Sequence, residues 1–97
     1  MITEHAILSV IPGQEMAFES AFAEARPIIS SMPGFVDLSL SRSLETPDQY
    51  LLLVAWNTLE DHTIGFRGSP EYQRWRELLH RFYEPFPTVE HFAEVKE

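Results

Sequence analysis

The chain contains no cysteine. Disulfide staples, thiolate nucleophiles and thiolate metal ligands are therefore excluded at the outset. Positive charge is scarce: seven Lys and Arg stand against fifteen Asp and Glu, for a net charge of −8. The bases are Arg26, Arg42, Arg67, Arg74, Arg76, Arg81 and Lys96, and they form no cluster that overrides this field. Nucleic acids and anionic membranes are thus poor partners. No apolar run approaches the roughly 18–20 residues of a membrane span, and no basic stretch precedes an apolar one at the N-terminus. A cytoplasmic protein is expected. H-E-x-x-H, H-x-H, G-x-S-x-G, G-x-G-x-x-G and phosphate-loop motifs are all missing, so metal, nucleotide and flavin binding have no support and no cofactor is expected.

What remains is an ordinary globular composition: 97 residues, 44% hydrophobic and 23% charged, enough for a single domain over residues 1–97. Ile2 to Ile11 is β-branched and aliphatic, stops at Pro12-Gly13, and reads as a strand. From Gln14 to Ser31, Phe18, Phe22, Ala25 and Ile29 recur at helical spacing, with Pro27 expected to kink or end the helix near Ala25 or Arg26. Met32-Pro33-Gly34 is a turn. Phe35 to Leu44 alternates like a half-buried strand, and Glu45 to Asp48 turns it into Gln49 to Trp56 as an antiparallel hairpin. Asn57 or Thr58 can cap a following helix, Thr58 and Asp61 having capping-box spacing, and Gly65 and Gly68 loosen its end. Ser69 and Pro70 are suited to N-cap and first position of a further helix, whose stripe is Tyr72, Trp75, Leu79 and Phe82. Pro85 and Pro87 end it, and Thr88 to Val95 is a last strand.

This β-α-β-β-α-β order is the ferredoxin-like α+β arrangement, an antiparallel sheet with both helices on one face. Such a sheet normally turns a polar face outward. The third strand does not: Leu51, Leu53 and Ala55 point one way, and Tyr50, Leu52, Val54 and Trp56 the other. Helices can cover only one of these faces. A second copy of the chain is the simplest cover for the other, so a homodimer is expected.

The opening Ser9-Val10-Ile11-Pro12-Gly13, the Met32-Pro33-Gly34-Phe35 turn, the strand ending in Trp56, the acidic turn to His62 and the start Ser69-Pro70-Glu71-Tyr72 together resemble the antibiotic biosynthesis monooxygenase (ABM) domain family. The resemblance covers nearly the whole chain. It implies a dimeric α+β barrel, two sheets facing each other, with a pocket between sheet and helices in each subunit. It also implies activities ranging from cofactor-free oxygenation to haem degradation and isomerisation. The haem-degrading pattern requires a strand-1 Asn, a strand-3 Trp and a helical His after the S-x-x-F/Y motif. Only Trp56 fits; the first strand has no Asn, and Trp75 and Arg76 stand where the His belongs, with His80 about a turn further on.

The candidate site residues follow from residue chemistry. An unperturbed imidazole titrates near neutrality, which suits His62 to take a proton from a phenol or enol; the alternative is an imidazole that faces solvent beside Glu60 and Asp61 or satisfies a backbone carbonyl. Arg67 offers a planar fork to an anionic oxygen, or else a surface ion pair. Trp56, Phe66, Tyr72 and Trp75 are candidate walls for a small aromatic or hydrophobic ligand, although packing alone would also account for Trp56 and the Tyr72 to Phe82 stripe. His5 and His91, on the first and fourth strands, which pair with other strands in this topology, read as interface or surface groups. The expected function is cofactor-independent monooxygenation of a small electron-rich aromatic or enolic compound. The rivals are a non-catalytic homodimeric module that binds a hydrophobic small molecule, and an isomerase or lyase that works by proton transfer.

Overall fold

In the computed structural model, which describes residues 1–97, the elements run β1 (Ile2–Ser9), α1 (Glu15–Ser30), β2 (Phe35–Arg42), β3 (Gln49–Trp56), a π-helical turn (Asp61–Phe66), α2 (Pro70–Leu79), a 3₁₀ turn (His80–Phe82) and β4 (Val89–Ala93). The four strands form one antiparallel sheet in the order β2-β3-β1-β4. This is the ferredoxin-like topology that the sequence pattern predicts. Register follows parity. Ile2, Glu4, Ala6 and Leu8 lie opposite Trp56, Val54, Leu52 and Tyr50, so one set of alternate side chains from both central strands points at the helices.

That set meets Phe18, Phe22, Ala25 and Ile29 of α1, and Trp75 and Leu79 of α2, in one continuous hydrophobic cluster. Burying each of the larger side chains contributes about 1.5–3 kcal/mol. The opposite face has no such cover. Ile7, Val36 and Phe92 are 41%, 46% and 52% exposed, while Leu51, Leu53 and Ala55 are half-buried. Nδ1 of His5, also on that face, is the one buried side-chain nitrogen or oxygen without a hydrogen-bond partner.

Pro27 does not end α1, contrary to the sequence expectation. Ile28 and Ile29, immediately after it, are both buried. The Ser30 hydroxyl also donates to the Arg26 carbonyl at 2.7 Å, tying down the last turn. Core burial thus outweighs the carbonyl bond that proline forfeits. The strands are shorter than the apolar pattern suggests. β1 stops at Ser9, leaving Val10 as a lone bridge to Tyr83, and β2 stops at Arg42 because Ser43 turns back to Gln49. β4 covers only Val89–Ala93 of the expected Thr88 to Val95.

Two turns prepare the site. Gly34 holds a φ of +85°, and a Cβ there would run into the Asp61 side chain, so this turn sits directly on the start of the π-turn. Asp61 and Thr58 cap each other reciprocally, Thr58 N–H to Asp61 Oδ2 at 3.1 Å and Asp61 N–H to Thr58 Oγ1 at 3.2 Å. At α2, Ser69 Oγ accepts the Tyr72 N–H at 3.2 Å and Pro70 takes the first position, as its fixed φ favours. No helix is long and apolar enough to cross a membrane.

Candidate functional site

A cavity of about 340 Å³ lies between the helical face of the sheet and the chain from His62 to Val89. Nine of its fourteen lining residues are hydrophobic, so its chemistry rests on a few groups: Glu4, His62, Arg67, His80 and the hydroxyls of Tyr72 and Tyr83. This is the usual makeup of a small-molecule site, apolar walls with a few convergent polar hooks. Phe86 is 60% exposed and Arg67 is also exposed, so these two liners mark the mouth.

The π-turn decides which side chains share the cavity. Its i→i+5 hydrogen bond runs from Arg67 N–H to the His62 carbonyl at 3.1 Å. On an α-helix, residues five apart point about 140° away from each other, at 100° per residue. The wider turn brings them onto one side, and His62, Phe66 and Arg67 all line the cavity.

At the cavity floor, Glu4 is 6% and His62 3% exposed. Glu4 Oε1 accepts the Trp56 indole N–H at 3.0 Å and lies 3.3 Å from His62 Nε2. His62 Nδ1 in turn lies 2.8 Å from Nε2 of His91. The indole stacks on the imidazole, with centroids 5.5 Å apart and planes 19° apart. Burial pushes the Glu4 carboxyl upward, against the opposing pull of the Trp56 hydrogen bond and Arg67. It pushes His62 down to about 3, helped by the charges of Arg67 and His91. The Glu4–His62 contact is therefore held by a neutral imidazole at pH 7 and is no ion pair. Burial also lowers His80 and His91, and keeps the Tyr83 phenol protonated as a hydrogen-bond donor.

These shifts have a stability consequence with a definite sign. Between pH 6.5 and 3 the unfolded chain binds a proton at His62 that the folded chain refuses, so stability is full above pH 6.5 and is lost as the pH falls. At pH 5 the loss from this group is on the order of 1–2 kcal/mol. Glu4 acts oppositely: its raised folded-state value favours folding at low pH, a contribution lost as the pH rises through that value. Urea denaturation at pH 7 and pH 5 checks the His62 contribution. Wild type is expected to lose about 1–2 kcal/mol more than His62→Phe over that interval, and equal losses would refute the assignment.

Five of the six sequence candidates line the cavity: His62, Phe66, Arg67, Tyr72 and Trp75. Trp56 is fully buried and lies behind that wall, where it fixes Glu4 and supports the His62 ring. Glu4 escaped the sequence reading, although its parity with Ala6 and Leu8 marks it as a carboxylate on the buried side of β1. His91 is no mere outer-strand group. Opposite Glu4 in the β1–β4 register, it is bonded to His62, a relation that only the sheet order discloses. No group of three His, Asp or Glu is placed to hold a metal ion.

Residues 1–78 match the family model described as antibiotic biosynthesis monooxygenase. The chain belongs to the ABM family. Among its relatives is the uncharacterized Bacillus subtilis (strain 168) protein YczJ, 60% identical over 95 residues that cover 98% of this chain and all of that protein. Among solved structures, a Bordetella bronchiseptica protein assigned to the antibiotic biosynthesis monooxygenases superposes with a TM-score of 0.92 at 38% identity, covering 98% of this chain and 97% of that one. SnoaB of Streptomyces nogalater, a cofactor-independent oxygenase solved in a mutant form, superposes with a TM-score of 0.83 at 19% identity, over 99% of this chain and 94% of that one; at that identity the likeness is one of fold. Within this ABM chain, the cavity sits between sheet and helices, and Glu4, His62 and Arg67 give it both proton-accepting and cationic groups.

Proposed function

We propose that this ABM chain is a cofactor-independent monooxygenase acting on a small, electron-rich phenolic or enolic compound. The observation that carries the reading is the polar floor of an otherwise aromatic cavity: a buried carboxylate and imidazole in contact, with an arginine at the rim that makes no ion pair. Removing a proton from such a substrate raises its power to donate electrons, and the resulting anion can reduce O₂ directly. One oxygen atom enters the substrate and the other leaves as water, with the substrate supplying the electrons. The protein then need only accept the proton at the Glu4–His62 pair, hold the developing anion with Arg67 and the Tyr83 hydroxyl, and keep water out with Phe66, Tyr72 and Trp75.

The test is O₂ uptake by metal-free protein with a panel of hydroquinones and polyphenols. Uptake matched one-to-one by oxygenated product is expected. Its absence across the panel would sink the reading, and product formed without O₂ would reassign the cavity to proton-transfer isomerisation. With an active phenol, Arg67→Ala is expected to raise KM about tenfold, the loss of one charge-assisted contact worth about 1.4 kcal/mol. A KM unchanged by this substitution would remove Arg67 from the site.

We also propose that two copies of the chain pair through the open face of the sheet. Ile7, Leu51, Leu53 and Phe92 give that face an apolar centre, which a second copy would cover.

A further inference from the structure

We infer that Glu4, His62 and His91 form a proton relay that joins the cavity to solvent at the edge strand β4, with Glu4 as the group that meets the ligand. The inference rests on the proton-taking role proposed above for this cavity. Its geometry is continuous: Glu4 Oε1 to His62 Nε2 at 3.3 Å, then His62 Nδ1 to His91 Nε2 at 2.8 Å. The two ends come from neighbouring strands, where Glu4 and His91 are register partners and β4 is the sheet edge. Neither end is sealed. The one buried side-chain nitrogen or oxygen without a partner is Nδ1 of His5, so Glu4 Oε2, on a cavity-lining residue, and His91 Nδ1, on a half-buried residue of the edge strand, are accessible and unpartnered. His62 lies between them, its Nδ1 bonded to His91 and its Nε2 3.3 Å from Glu4 Oε1.

The transfer balances without an imidazolium. A proton on Glu4 Oε1 passes to His62 Nε2 as the His62 Nδ1 proton passes to His91 Nε2 and the His91 Nδ1 proton leaves to water. Each ring gives up one proton as it gains another and changes only its tautomer; the reverse sequence reloads Glu4. Because a carboxyl can exchange its two oxygens by a half-turn, a proton taken at Oε2 in the cavity reaches the His62 side. Neutral rings throughout suit this environment, since burial and the nearby Arg67 both oppose a charged imidazole. The other titratable groups facing the cavity are Tyr72 of α2, His80 of the 3₁₀ turn and Tyr83 just after it.

Nitrogen-15 NMR of labelled imidazoles reads which ring nitrogen carries the proton and requires no substrate. His62 and His91 are expected to change tautomer together, at one midpoint, as Glu4 takes up its proton, and this joint transition should vanish in Glu4→Gln. Separate midpoints for the two rings, or a transition unaffected by Glu4→Gln, would overturn the relay; if that variant does not fold, the wild-type midpoints decide alone. A kinetic arm uses hydroquinone and O₂ uptake. His91→Phe, which keeps a ring of similar size, is expected to lower kcat about 10²-fold with little change in KM, and free imidazole should restore it. An undiminished kcat would also overturn the relay. Wild-type protein inactive across the phenol panel would remove the oxygenase reading, while the NMR arm would still judge the relay.

Discussion

Trp56→Ala is expected to cost about 3–5 kcal/mol of folding stability, as for other fully buried large aromatics. The side chain is 0% exposed. It stacks on His62, lies 5.8 Å from Phe66 and meets Phe35 edge-on at 6.0 Å. Truncation therefore opens a void beneath three rings at once. It also strips Glu4 Oε1 of the indole donor that favours the ionised carboxylate, leaving burial and Arg67 as the main influences on that group. Against a typical domain stability of about 5–15 kcal/mol, this leaves the fold marginal. Trp56→Phe separates the two effects: most of the packing survives while the donor is lost, with an expected cost of about 1–3 kcal/mol. Urea unfolding measures both, and a cost below about 1 kcal/mol for Trp56→Ala would show that the indole does not hold the site together.

Leu53→Lys is expected to convert a dimer into a monomer while leaving each chain folded. Leu53 lies on the open face of β3, opposite His5 of β1, and is only half-buried within its own chain, so a lysine there costs the isolated chain little. In a two-fold interface the substitution occurs twice, and each copy buries an unpaired ammonium. A few kcal/mol per site reduces a micromolar or tighter association by several orders of magnitude. Light scattering reads the result directly, because one chain weighs 11.2 kDa and two weigh 2 × 11.2 = 22.4 kDa. A wild type at the monomer mass, or a Leu53→Lys variant still at the dimer mass, would exclude pairing through this face.

Much of the fold was legible because parity and spacing are local properties. The alternation in β3 shows two apolar faces on one strand, and the Phe18, Phe22, Ala25, Ile29 series identifies the buried face of α1. Element ends were less legible, as at Pro27, where buried isoleucines just beyond the proline outweigh its intrinsic cost. The site was half legible. Aromatic and charged residues after β3 stand out in the sequence, but the contact of Glu4 with His62 and His91 joins residues on β1, the π-turn and β4. Such a cluster exists only once the sheet order is fixed, and no short-range pattern contains it. Arg67 is legible as a charged neighbour of His62 and Phe66, while the π-turn that sets it on their side is not.

The π-turn thus carries one residue more than an α-helical turn needs to set His62 and Arg67 side by side. Deleting one residue between them would let the segment wind as an ordinary α-helix, with Arg67 four positions from His62, about 40° away and still on its side. Homologous chains that lack one residue here can therefore still present an imidazole and a guanidinium to the cavity from one side of the turn.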